Sequence, residues 1–370
     1  MVIQISVPKA EDTKNAKNIS LPVDLIRTVG ILMVIILHVA NEFYTAIYQT
    51  PLETPTYWWT ATVFKFLTLS AVPLFIMLSG SLLLHPSKTD EPITDFLKKR
   101  ADRIGWAFAF WSIIYLAWGF FITDTPVTLS SGIAGLAVGL FTGPWYHFWF
   151  LYLIAGLYLI TPVLRSVVAN RDHNLIKYLV ILWFIGVSIV PLIELITGYG
   201  LNGGVFVFGG CIGYFVLGAY LQKAQVRSSI LYVLFALAAV WTVLSTWLMH
   251  FVFPQLEQNY FFFDYLSANI VIASVALFTL LSRVNADWPG TNHPRLTKLI
   301  QTISKHTLPI YLFHVIILMS LQRGFFGFTL SLTTMNPIIG VPLIATTTFL
   351  ITFGLIFVMK KVPILRKLIG

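Results

Sequence analysis

Residues 21–43 read LPVDLIRTVGILMVIILHVANEF, an apolar run long enough to cross a bilayer as one helix. It carries four ionisable groups, Asp24, Arg27, His38 and Glu42. Arg27 and His38 are separated by ten residues. At about 100° per residue, eleven steps bring the helix back to within roughly 20° of its start, so both side chains share one face. At 1.5 Å per residue they sit about 16 Å apart along the axis. A guanidinium near one membrane surface and an imidazole toward the other are costly in lipid, and groups kept there at that cost point to function.

The rest of the chain repeats the apolar theme. Its 370 residues are 57% hydrophobic and 15% aromatic, and only 11% are charged, where a soluble domain carries about 25%. The composition predicts an all-α, polytopic integral membrane bundle of about ten transmembrane helices. The predicted spans are 21–43, 57–84, 104–122, 145–165, 178–196, 204–221, 230–253, 265–282, 308–323 and 338–359. Residues 1–20 form a polar tail, 21–359 the membrane domain and 360–370 a basic tail. Glu11 and Asp12 in the first tail do not suit a secretory signal, so the first span is expected to be retained. The Gly-rich stretch 129–142 is too short to cross and is read as a re-entrant or interfacial piece.

Charge fixes the expected orientation. With both termini cytoplasmic, only Arg323 of the 24 basic residues falls on the outer side, Arg27 and Lys65 lying within spans. Glu42, Glu53, Asp124, Glu194, Glu257 and Asp264 lie at the outer side, the asymmetry of the positive-inside rule. The net charge of +9 therefore reports orientation and calls for no nucleic acid. The lone cysteine, Cys211, excludes an intrachain disulfide and a cysteine metal cluster, and no motif suggests a metal. The clusters Tyr57-Trp58-Trp59 and Tyr260-Phe261-Phe262-Phe263 read as interfacial aromatic belts.

Several groups carry possible chemistry. Glu42, one turn beyond His38, is placed to orient the imidazole, which makes the pair a candidate catalytic base. Arg27 is either an anion site or a partner of Asp24, or it snorkels to the interface. Arg100 and Arg103, in Lys98-Lys99-Arg100-Ala101-Asp102-Arg103, lie at helical spacing and suit bidentate phosphate contacts. Lys65 is equally an outer-side ion pair or a site residue. Val72-Pro73 through Ser79-Gly80 reads as a kink and a close helix contact. His147 and His314 are interhelical hydrogen-bond partners or members of a secondary site, as is Ser79. No phosphate loop, HExxH or GxSxG sequence occurs.

Arg27 with His38, the Pro73–Gly80 stretch, Arg100-Ala101-Asp102-Arg103, His147-Phe148-Trp149-Phe150-Leu151 with Thr161-Pro162, and Tyr311-Leu312-Phe313-His314 together resemble the acyltransferase-3 family of membrane O-acyltransferases. The resemblance runs through nearly the whole chain in order. It implies transfer of an acyl group, commonly acetyl, from cytoplasmic acetyl-CoA to a hydroxyl of a surface glycan, its lipid-linked precursor or a small molecule; the size and charge pattern place the chain at the plasma membrane. Arg27, Arg100 and Arg103 would then hold the donor. His38 would act as base or carry the acyl group transiently. Two other classes stay open at this point. Arg27, His38, Lys65 and Glu194 would also suit a transporter pathway, although no two-fold repeat of spans is evident. A structural partner in a glycan-assembly complex would need no His38.

Overall fold

The computed structural model describes residues 21–49, 55–88, 91–123, 128–169, 173–199, 210–222, 224–253, 260–284, 293–332 and 335–370. The tail 1–20, Glu53, Asp124, Glu257 and the start of the expected span 204–221 lie outside them, as does the side chain of Glu42. Among the described residues all regular structure is helical.

The first span is α1 (Leu21–Gln49), which packs at the centre. The second is α2 (Pro55–Leu69) followed by α3 (Ala71–Leu83). The break between them has a local cause. Pro73 has no N–H to offer the carbonyl of Leu69, four residues back, and its ring crowds that carbonyl. The helix break that the sequence reads as a kink is therefore present at Ser70, within a run that still counts as one span, Tyr57–Leu83. So is the close contact: a Cβ on Gly80 would lie 1.8 Å from the Phe215 carbonyl oxygen, and one on Gly218 would lie 1.9 Å from that of Met77. Both Phe215 and Gly218 belong to α9 (Ile212–Leu221), so backbone meets backbone across α3 and α9, as small residues permit in membrane bundles.

The third span, α4 (Ile93–Thr123), starts earlier than the apolar run and carries the basic cluster on its first turns. The stretch 129–142 forms α5 (Leu129–Thr142), capped by a reciprocal Thr128–Ser131 box. It does not cross alone. Gly135 lies against Leu116, and Thr142 shares a small cavity with Ser112, so α5 runs down the outer half of α4. The chain then turns at Gly143 (φ +92°), passes a short 3-10 turn at Tyr146–Phe148, and continues as α6 (Trp149–Ala169). Helices α5 and α6 thus form one interrupted apolar run, Ser130–Val168, of membrane-spanning length and composition. Non-helical backbone at membrane depth is tolerated only where protein buries it or a cavity is lined. Here that backbone carries His147.

The fifth span is α7 (His173–Phe184) and α8 (Val190–Thr197), joined by a π-helical turn at Ile185–Ile189 next to Pro191. Helix α10 (Ser228–Trp247) and α11 (Ala268–Ser282) follow. The expected span 308–323 is preceded by an element the apolar pattern does not reveal. Helix α12 (Pro294–Lys305) is amphipathic and bends by 75° into α13 (Thr307–Gln322). Pro309 stands four residues after Lys305, the spacing of Pro73 after Leu69. The chain closes with α14 (Pro337–Met359) and α15 (Pro363–Leu368). Helix α1 contacts α2, α3, α11, α12, α13 and α14, so its residues face most of the bundle. Asp24 on α1 accepts a hydrogen bond from Ser304 at 2.6 Å, and Gly370 packs on Leu308. The first described residues and the last therefore lie at one end, together with the basic cluster.

Candidate active site

A cavity of about 400 Å³ opens at this basic end. Arg27 from α1, Arg100 and Arg103 from α4, Lys88 and Lys305 all contribute to its lining. Arg100 is held from two sides. Its guanidinium lies 5.2 Å from the ring centre of Phe96 and 5.7 Å from that of Tyr158. Phe96 is fully buried, with Arg165 over its ring at 4.4 Å. Arg165 donates to the Leu83 carbonyl and to Glu91, and Glu91 also pairs with Lys99 at 3.0 Å. Those two cations hold the Glu91 carboxyl below its ordinary range, Lys99 contributing most. The brace leaves Arg100 Nε buried with no hydrogen-bond partner among the described residues, one donor ready for an anion. Arg27 forms no ion pair or hydrogen bond among the described residues, while Asp24, one turn before it, accepts from Ser304. The three arginines expected to hold a donor thus surround one space.

The deep wall of the cavity is aromatic. Phe75, Phe150 and Tyr311 line it in sequence, with ring centres 6.1 Å and 5.5 Å apart, and Phe75 rests against the bare backbone of Gly30. Ser79, one turn from Phe75, lines the cavity too, though its hydroxyl donates to the Phe75 carbonyl.

Behind this wall stand three histidines. His38 Nδ1 and His314 Nε2 are 2.6 Å apart. The ring planes agree within 6°, and nitrogens so close cannot belong to rings stacked at van der Waals distance. The imidazoles therefore meet edge to edge along an N–H···N line. His147 lies with its ring centre 6.3 Å from that of His38 and 5.7 Å from that of His314. His147 and His314 are fully buried, whereas His38 is half-buried. Tyr311 donates its hydroxyl to the His147 carbonyl, and Tyr115 donates to that of Leu312 at 2.8 Å. Both tyrosines thus fix the backbone around the cluster. Among the described residues no three His, Cys, Asp or Glu side chains are placed to hold a metal ion.

Comparison with family models gives a match described as an acyltransferase domain over residues 22–358. The chain belongs to the acyltransferase-3 family. No curated protein and no solved structure matches it. In acyltransferase terms the expected donor residues Arg27, Arg100 and Arg103 are gathered at the basic end, and His38, His147 and His314 lie together deeper in the bundle. Counting residues along each span puts His38 in the outer half of its helix and His314 in the inner half of its own. The structure nevertheless brings them into direct contact. Lys65 joins neither group and packs over the rings of Phe263 and Tyr260 at 4.9 and 5.0 Å. Tyr158 and Tyr115 have no local signature in the sequence, and nothing within the quoted stretches marks Phe75 or Phe150 as wall residues. They are ordinary membrane aromatics until the helices are assembled.

Proposed function

We propose that this acyltransferase moves an acetyl group from cytoplasmic acetyl-CoA to a hydroxyl of a surface glycan or its lipid-linked precursor. The observation that carries the reading is the polarity of α1. Its basic-end residue Arg27 lines an arginine-rich cavity, and its deeper residue His38 stands beyond the cavity's aromatic wall. The phosphates of a CoA molecule suit Arg27, Arg100 and Arg103, with Arg100 Nε as a buried donor still to be satisfied. Its long pantetheine arm then carries the thioester toward Phe75, Phe150 and Tyr311, with His38 behind them.

The chemistry is acid–base catalysis. A nitrogen lone pair of His38 takes the acceptor hydroxyl proton as the oxygen attacks the thioester carbonyl. The tetrahedral adduct collapses with cleavage of the C–S bond, and the imidazolium returns its proton to the leaving sulfur. The acceptor side rests on the family resemblance and on the outward position of His38. A small-molecule hydroxyl fits the same chemistry, and the plasma membrane is the matching location. A transporter would need no acyl chemistry, so family membership disfavours it.

The test compares wild type, His38→Ala and Arg27→Ala at matched membrane levels, reading acetyl esters on surface glycans and release of CoA from acetyl-CoA. Loss of both signals in the variants supports the transferase. Full activity in His38→Ala removes the base assignment. Absence of acetyl-CoA-dependent CoA release in the wild type overturns the reading.

A further inference from the structure

The histidine pair raises the question of which ring nitrogen of His38 is basic. A neutral imidazole holds its proton on one nitrogen, and the hydrogen bond made by the other ring atom decides which. The chain of contacts starts at the backbone. His314 Nδ1 faces two carbonyl oxygens, Tyr311 O at 2.7 Å and Ile310 O at 3.2 Å. An oxygen lone pair cannot be bonded by a nitrogen lone pair, so that nitrogen carries the hydrogen. In neutral His314, Nε2 is then an acceptor. It lies 2.6 Å from His38 Nδ1, which must donate. No competing orientation arises from His147, because neither of its ring nitrogens is hydrogen-bonded to His38 or His314.

We infer that His314 is a positioning residue that holds the His38 proton on Nδ1 and leaves Nε2 as the reactive atom. This rests on the proposed role of His38 as base. The logic is that of an orienting carboxylate behind a catalytic histidine, with a neutral ring tied to the helix backbone in place of the acid. Proton bookkeeping closes. When Nε2 takes the hydroxyl proton, His38 becomes an imidazolium that still donates through Nδ1 to neutral His314. The proton then leaves from Nε2 to the CoA sulfur, and His314 never changes charge. A neutral partner suits the place, since a carboxylate at this depth would carry its own desolvation cost.

The geometry supplies a discriminating pair of substitutions. A glutamine amide reaches the position of Nε2 and can accept from His38. An asparagine amide reaches only the position of Nδ1, where it satisfies the carbonyls and leaves His38 without a partner. The purified full chain in detergent, as wild type, His314→Gln, His314→Asn and His314→Ala, is measured in two ways. One is CoA release from acetyl-CoA with glycerol as the probe hydroxyl. The other is the ring 15N spectrum of His38 at neutral pH, assigned by the signals lost in His38→Ala, which reports which nitrogen carries the proton without needing an acceptor.

His314→Asn and His314→Ala are expected to lower kcat by about 100-fold, the scale of a disabled general base, with KM for acetyl-CoA unchanged. The Nδ1–H tautomer of His38 that dominates in the wild type is no longer held in these two variants, whereas His314→Gln keeps it and stays within about fivefold of wild type in kcat. Equal loss in all three variants, or none in any, overturns the inference. If the wild type releases no CoA, the acyltransfer reading fails in this assay, while the His38 tautomer across the same variants still upholds or overturns the pairing.

Discussion

Gly80→Ala adds one methyl group where α3 and α9 touch. The new Cβ would lie 1.8 Å from the Phe215 carbonyl oxygen, against the 3.4 Å at which ordinary contact begins. Backbone cannot swing aside as a side chain does, so the helices must part by about 1.5 Å locally, enough to forfeit much of the dispersion along the seam. Overpacking of a close-packed interior costs 1–3 kcal/mol, and a backbone clash belongs at the top of that range, about 3 kcal/mol. Gly218→Ala meets the mirror-image clash with Met77 and should cost about the same. The decisive measurement is the double variant. One separation of the helices relieves both clashes, so the pair should lose about 4 kcal/mol, well short of additivity. Thermal unfolding of the purified protein in one detergent gives the four stabilities. The clash has a functional echo, because α3 also presents Phe75 and Ser79 to the cavity, and KM for acetyl-CoA should rise with the shift. Additive losses, or a neutral Gly80→Ala, would refute the claim that the two glycines serve one contact.

Three further outcomes follow from the basic end. Arg27→Ala should raise KM for acetyl-CoA about tenfold or more, and Arg27→Lys should recover only part of it, because a point charge lacks the guanidinium fork. Ser304→Ala removes the hydrogen bond that holds Asp24, and the freed carboxylate turns to Arg27, three residues on. Donor affinity should then fall although no cavity cation is lost, and unchanged equilibrium binding of CoA would contradict this. Glu91, held below its ordinary value of 4.5 by Lys99 and Arg165, contributes stability that is fully present above that value and is lost as pH falls through the lowered native one. A pH series of melting temperatures should show this acid-side decline, and Glu91→Gln should flatten it.

Much of this architecture was written in runs of apolar residues, and the exceptions are instructive. The kink at Pro73 and the contact at Gly80 follow from residue chemistry alone, since a missing N–H and a missing Cβ act wherever they occur. Helix α12 escapes a hydropathy search because its polar face lowers the average, although Ile300 and Ile303 are buried. The stretch 129–142 was visible as too short to cross. That it packs on α4 depends on Leu116 and Ser112, far away in sequence. Within the site, Arg27, His38, Arg100 and Arg103 stand out because ionisable groups in apolar surroundings are conspicuous. His314 was visible as a residue but not as the partner of His38, because the packing of α13 against α1 joins residues 276 apart in sequence. Glu42, the orienting group the helix period suggested, has its side chain outside the described residues, and His314 occupies Nδ1 of His38.

The wall of Phe75, Phe150 and Tyr311 has a consequence for the cell as well as for the reaction. A cavity that admits water to the middle of the bilayer from one side thins the insulator that holds the membrane voltage. Each elementary charge that leaks across is driven by about 2.3 kcal/mol per 100 mV. Three packed rings between a cationic vestibule and a cluster of proton-binding imidazoles form a dielectric plug at the point where such a leak would begin. An acyl group, being uncharged, feels none of that field, so the wall can yield to the cargo and still hold back protons. On this view the same side chains that bound the donor cavity keep a transferase from becoming a short circuit.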